Sequence, residues 1–300
     1  MADETLCGLE LTHRYADFGD VWLHYVEAGK GPLVLLLHGF PQFWYEWRHQ
    51  IPALVEAGFR VVAPDLRGYN LSGKPPGVRS YRLELLARDV ERLILARGER
   101  TAAVVGHDWG AITAWFAAMR HPGRVGRLAI LNVPHPARFP DVLPSPGQLL
   151  RSSYVLFFQL PSLPEEVIRA GDFALLRSVL RRDPVRAGAF TAEDIERYVG
   201  AMKRPGALTA TLNYYRALLR NPRETRALLG RIQAPVLVIW GERDRFLSRR
   251  LAEPPPLWVP NLLRVGRLPN ASHWVAEDRP REVNVLLLDF LRSPLATLPG

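Results

Sequence analysis

A chain of 300 residues, 48% hydrophobic and 23% charged, has the makeup of a globular protein able to bury a large core, which excludes a disordered or fibrous one. Its net charge of +9 comes from arginines strewn from Arg14 to Arg292 among acids, the pattern of a solvated surface and not of a basic stripe for nucleic acid. A single cysteine, Cys7, excludes an intrachain disulfide and a cysteine metal site, and no apolar run reaches the ~18 residues that a membrane-spanning helix needs.

The N-terminus, Met1-Ala2-Asp3-Glu4, is acidic and has no hydrophobic signal core, so a cytoplasmic location is expected. Residues 21–26 alternate like a half-buried strand and stop at Gly29-Lys30-Gly31-Pro32. Residues 33–37 are apolar throughout, the pattern of a strand covered on both faces in a parallel sheet. They run into His38-Gly39-Phe40-Pro41 and a tryptophan-rich helix over 44–55. A strand over 60–63 opens a polar loop, 64–73, and a helix over 81–96 leads to the apolar run Ala102-Ala103-Val104-Val105. A helical pattern over 111–119 follows, then a strand over 125–131 closed by Asn132-Val133-Pro134-His135-Pro136.

Between 136 and 222 no buried strand pattern occurs. Apolar residues recur there at helical spacing, over 148–159, 165–180, 192–202 and 208–219, between proline breaks. Strand runs resume at 236–240 and 262–265, before a last helix over 281–291. The order predicts an α/β protein, a mostly parallel sheet flanked by helices, built from residues 1–135 and 223–300 around an all-helical insertion, 136–222.

The chemistry centres on Gly106-His107-Asp108-Trp109-Gly110, between the apolar run and the helix. A strand that turns abruptly into a helix needs small residues two positions either side of its tip, and Gly106 and Gly110 supply them. The layout is a nucleophile elbow, G-x-S-x-G, with Asp108 in place of the serine. A carboxylate at that tip is ionised at neutral pH and is a nucleophile without help from a base. It can displace a leaving group from an sp³ carbon, and the resulting ester then requires activated water and an oxyanion hole. In elbow enzymes an acid and then a histidine follow the nucleophile in the chain. Asp244, just past the strand at 236–240, and His273, in the loop before the last helix, stand where strand ends gather ligands. Glu242 is a rival acid, Asp141 and Asp278 read as surface or cap charges, and residue 132 is Asn.

His38-Gly39-Phe40-Pro41, Asp65-Leu66-Arg67-Gly68-Tyr69, the elbow, Gly241-Glu242-Arg243-Asp244 and Ser272-His273-Trp274 together resemble the epoxide hydrolases of the α/β-hydrolase fold, in order and over nearly the whole chain. The resemblance implies that the insertion is a cap, or lid. It also implies oxyanion-hole amides at Phe40 and Trp109 and a cis Phe40-Pro41 bond. Opening an epoxide yields an alkoxide, for which a phenol is a suitable proton donor. Tyr154, in Y-x-x-x-F-Q-x-P, resembles the first lid tyrosine of the family, and Tyr215 the second, with Tyr214 in reserve because neighbours on a helix point about 100° apart.

Phe40, Phe43, Trp44, Trp109, Phe157 and Phe158 are candidates to line an apolar pocket, with Phe40, Trp109, Phe157 and Phe158 taken as substrate contacts. The implied reaction joins a small apolar epoxide and water, with no metal or organic cofactor. Two other readings stay open. A haloalkane or haloacid dehalogenase would use the same Asp108, His273 and Asp244, although Phe40 offers no side-chain donor to a halide and Trp109 stands where fluoroacetate dehalogenases carry Arg. A catalytically silent receptor would use the pocket alone.

Overall fold

The computed structural model describes residues 4–142 and 146–294. Its nine strands are β1 (Glu4–Leu6), β2 (Leu9–Asp17), β3 (Trp22–Ala28), β4 (Leu33–Leu37), β5 (Arg60–Pro64), β6 (Ala102–His107), β7 (Val125–Leu131), β8 (Val236–Gly241) and β9 (Leu262–Leu268). They form one sheet in the order β1-β2-β3-β5-β4-β6-β7-β8-β9. The first three strands pair antiparallel, as does β3 with β5, and all later pairings are parallel. Every residue of β4 and β8 is buried, as their unbroken apolarity predicts. β1 and β2 were not expected. β2 buries only Leu11 and Ala16 of its nine residues, so its sequence lacks the alternation that marks a half-buried strand.

The segment expected as one helix over 44–55 begins as a 3₁₀ stretch, Trp44–His49, before the α-helix Gln50–Glu56. Helices Leu83–Ala96 and Trp109–Arg120 pack on each other, and Gln50–Glu56 packs against the last helix, Pro280–Arg292. Phe43 and Trp44 are buried, Phe43 among Trp44, Tyr45 and Tyr198, and so belong to the core.

Between β7 and β8 the described elements are helical. Pro146–Arg151 and Ser153–Phe157 replace the single helix expected over 148–159. Leu163–Arg182 breaks at Gly171, Asp172 and Phe173, all at positive φ. Ala192–Lys203 starts at a capping box, in which the Thr191 hydroxyl accepts the Asp194 amide and the Asp194 carboxylate accepts the Thr191 amide. Ala207–Arg220 follows, and Pro222–Ala227 runs across the boundary expected after residue 222. Buried Arg48, in the stretch Trp44–His49, links Asp194 of the helix Ala192–Lys203, at 3.3 Å, to Glu277 of the short helix Val275–Asp278, at 2.6 Å. The Arg48 charge would be costly to bury alone, and these partners offset that cost. Among the described residues no helix is long and apolar enough to cross a membrane.

Candidate active site

Asp108 stands at the tip between β6 and Trp109–Arg120 with φ 48° and ψ −121°, a conformation that costs of order 1–3 kcal/mol and must be imposed by its surroundings. A Cβ at Gly106 would lie 2.4 Å from the Gly110 carbonyl oxygen, and one at Gly110 would lie 1.9 Å from that of Leu37. Both elbow glycines are therefore steric necessities. Gly39 is equally confined, since a Cβ there would meet that of Asp108 at 2.2 Å. This closeness lets the Phe40 amide donate to Asp108 Oδ1 at 2.7 Å. The Phe40-Pro41 peptide bond is cis.

The two oxygens of Asp108 have different neighbours: Oδ1 rests on the Phe40 amide, and Oδ2 faces His273 Nε2 at 3.6 Å. On the far side of the ring, His273 Nδ1 donates to Asp244 Oδ2 at 2.9 Å. Asp244 is fixed in turn, with Oδ1 accepting the amides of Phe246 and Leu247 and Oδ2 accepting Asn132 Nδ2 at 2.8 Å. Glu242 points elsewhere, 3.7 Å from Arg267. Burial opposes the charged form of His273, but the field of Asp244, together with hydrogen bonding to Asp108 and Asp244, outweighs it and raises the pKa to about 10. For Asp108, burial works against the carboxylate, and His273 and the Phe40 amide reverse that and hold its pKa below the usual value.

Above the carboxylate stands a group of aromatic rings. Tyr215 lies 4.8 Å from the Trp109 ring, 5.0 Å from Phe158, 5.9 Å from Tyr154 and 6.0 Å from Phe40, centroid to centroid. Tyr214 turns the other way and donates its hydroxyl to the Arg67 carbonyl at 2.6 Å. Burial and the Asp108 charge raise the pKa values of both Tyr154 and Tyr215, so both phenols keep their protons. Phe157, in contrast, touches no site ring but Phe158, at 6.1 Å.

Several supports of this site are absent from the sequence reading. Phe246 packs its ring against His273 at 5.2 Å and Tyr154 at 5.8 Å. Buried Glu46 accepts the Gly39 amide at 2.9 Å and sits 2.7 Å from His107 Nδ1, while His107 Nε2 lies 2.9 Å from the His273 carbonyl oxygen. One carboxylate thus joins the Phe40 turn, the elbow strand and the His273 loop. The only hint in the sequence was a histidine beside the nucleophile. Asp278, expected as a surface or cap charge, is buried: Oδ2 accepts the amide and hydroxyl of Ser272, and Oδ1 accepts the Arg186 amide, all within 2.7 Å. An aspartate five residues beyond a histidine looks like a helix-terminal charge until the loop folds back on it. The side chain of Asp141 lies outside the described residues.

Comparison with known proteins places the chain in a family. A model of the α/β hydrolase fold family matches residues 32–280. The chain is 44% identical to the AB hydrolase superfamily protein YfhM of Bacillus subtilis, over 93% of this chain and 98% of that protein. It is 38% identical to Epoxide hydrolase 4 of Mus musculus, over 94% of this chain and 80% of that protein. Among solved structures, an epoxide hydrolase variant from Bacillus megaterium in complex with its naphthyloxy-propanediol product has a TM-score of 0.85 at 34% identity, covering 93% of this chain and all of that one. Epoxide Hydrolase A from Mycobacterium thermoresistibile has a TM-score of 0.80 at 34% identity, covering 94% and 98%. By sequence and by structure, the chain belongs to the α/β-hydrolase fold family and, within it, to the epoxide hydrolases.

Proposed function

We propose that this chain hydrolyses small apolar epoxides to vicinal diols through an ester on Asp108, with residues 136–222 acting as the cap over the site. The observation that carries the reading is the convergence of two protonated phenols, Tyr154 and Tyr215, whose rings lie 5.9 Å apart and which both feel the Asp108 charge. Displacement of a halide needs no such acid.

Asp108 Oδ1 is occupied by the Phe40 amide, so Oδ2 is the attacking atom. It forms a bond to an epoxide carbon as the carbon–oxygen bond breaks, and the departing alkoxide takes a proton from Tyr154 or Tyr215. Oδ1 is left as the ester carbonyl, already beside a hydrogen-bond donor. Loss of the Asp108 charge lowers the pKa of His273, which gives up its proton, through water, to the tyrosinate left by the first step and becomes a base. It then takes a proton from water, and the hydroxide adds to Asp108 Cγ. The tetrahedral oxyanion rests on the amides of Phe40 and Trp109. Collapse expels the diol oxygen as an alkoxide, which takes the proton of the Asp108 carboxylic acid formed in the same step, leaving the carboxylate and the protonated His273 of the starting state. Asp244 holds His273 in the tautomer whose Nε2 faces the water. Phe40, Trp109 and Phe158 form the apolar wall of the substrate pocket.

The test is the intact mass of His273→Gln after brief exposure to an aryl epoxide and, separately, to a chloroalkane. The expected result is a gain of the whole epoxide mass mapped to Asp108, since the ester cannot be hydrolysed. A gain of an alkyl group from the chloroalkane, with none from the epoxide, would replace this reading with dehalogenation. Tight binding of an apolar ligand without any adduct would leave only a receptor.

A further inference from the structure

Outside the catalytic pocket, a polar cavity of about 470 Å³ opens at the outer face of the loop that carries Asp244. Its wall brings Arg151, from the helix Pro146–Arg151, together with Arg243, Arg245 and Arg249 from the loop after β8, with Ser248 and with the acids Glu242 and Asp244. The pairing of these charges is incomplete. Arg245 meets Asp183 at 3.1 Å. Among the described residues, Arg151 donates only to the backbone carbonyls of Asp244 and Arg245, and Arg243 only to the Asn270 amide oxygen. The Arg249 guanidinium has no partner among the described residues. The one acid with a side chain to spare there, Glu242, lies nearest to Arg267. The Asp244 carboxylate is already occupied by His273, Asn132 and two amides.

Three guanidinium groups without acidic partners therefore share one concavity. Its volume falls in the range of small-molecule sites, ~300–1,000 Å³. Arginine forks suit planar pairs of phosphate oxygens, and a phosphate dianion offers acceptors enough for several forks and the Ser248 hydroxyl, where a carboxylate offers two atoms. We propose that this cavity is a binding site for a phosphate group, separate from the epoxide pocket. Leu149 and Leu150, immediately before Arg151, are 47% and 77% exposed, so the phosphate can belong either to a free solute or to the headgroup of a lipid surface against which those leucines rest.

The experiment is calorimetric titration of the full chain with inorganic phosphate at low ionic strength. Cosedimentation with phosphatidylcholine vesicles, with and without phosphatidic acid, is run in parallel. Saturable binding of one phosphate is expected. It should weaken roughly tenfold or more in Arg243→Ala/Arg249→Ala, the scale of lost charge-assisted hydrogen bonds. Arg223→Ala/Arg226→Ala, which removes the same charge elsewhere, should bind as the parent does. With that result in hand, binding to phosphatidic acid vesicles that depends on Arg243 and Arg249 assigns the phosphate to a lipid headgroup, and its absence assigns it to a solute. No saturable phosphate binding, whether or not vesicles bind, or an equal loss in both double variants, overturns the site.

Discussion

Asn132 and Asp244, 112 residues apart, meet at 2.8 Å, and the same Asn132 accepts the Gly241 amide at 2.8 Å through its other atom. One side chain at the end of β7 therefore anchors both the start of the acid's loop and the acid itself. Its φ of 49° is tolerated by Asn and Gly, which makes Asn132→Gly the clean deletion. That variant should lose about tenfold in the rate of ester hydrolysis, the cost of one hydrogen bond to a charged group, while ester formation changes little. Single-turnover kinetics separate the two steps. Equal losses in both would mean that Asn132 supports the fold and not the base.

His273 is expected to be charged throughout the neutral range in the free enzyme and to titrate near its raised value of about 10. Asp108→Asn removes the charge beside Nε2 but leaves Asp244 in place. The imidazole pKa should then fall by about one unit or more, as loss of a nearby opposite charge requires. NMR of the imidazole resonances measures both. The same pKa in both proteins would break the idea that ester formation frees the base. Because the folded pKa is raised, the stabilisation from this group is fully present below the ordinary value of 6.5 and is lost as pH climbs through about 10. Stability should therefore decline over that window, and His273→Gln should flatten the decline.

Tyr154→Phe and Tyr215→Phe keep the rings that pack on Phe158 and Trp109 and remove only the hydroxyls. The double variant should slow ester formation by roughly 10² to 10⁴, the usual contribution of a general acid. Hydrolysis of an ester already formed should be spared. Tyr214→Phe loses its bond to the Arg67 carbonyl and should lower stability with a smaller effect on turnover. Rapid-quench measurement of the adduct reads the first step directly, and an undiminished rate in the double variant would assign the proton to another group.

Glu46→Ala leaves the Gly39 amide and His107 Nδ1 buried without their carboxylate. The stranded Gly39 amide should cost on the order of 1–3 kcal/mol in denaturant unfolding. Turnover should also fall, because the Phe40 amide and the His273 carbonyl are held through the same side chain. Glu46→Gln, which can keep a bond to Gly39, should recover part of the loss.

The strand and helix order, the elbow with Asp108 at its tip, and the positions of Asp244 and His273 at strand ends were all legible along the chain. Each depends on neighbours a few residues away: apolar periodicity, glycines flanking a turn, a polar residue after a buried strand. The antiparallel edge at β1 and β2 was not legible, because a strand that buries two residues in nine carries no period. Nor could the chain say which of Tyr214 and Tyr215 faces Asp108, since that is set by how Ala207–Arg220 is rotated between Arg67 on one side and Phe40 on the other. Asn132, Glu46, His107 and Asp278 look ordinary in sequence for the same reason. Their partners lie elsewhere in the chain or across a reversing loop, and a buried hydrogen bond leaves no local pattern. The sequence by itself determined the candidate reactive groups and their order, while only the tertiary structure decided which side chains hold them at bonding distance.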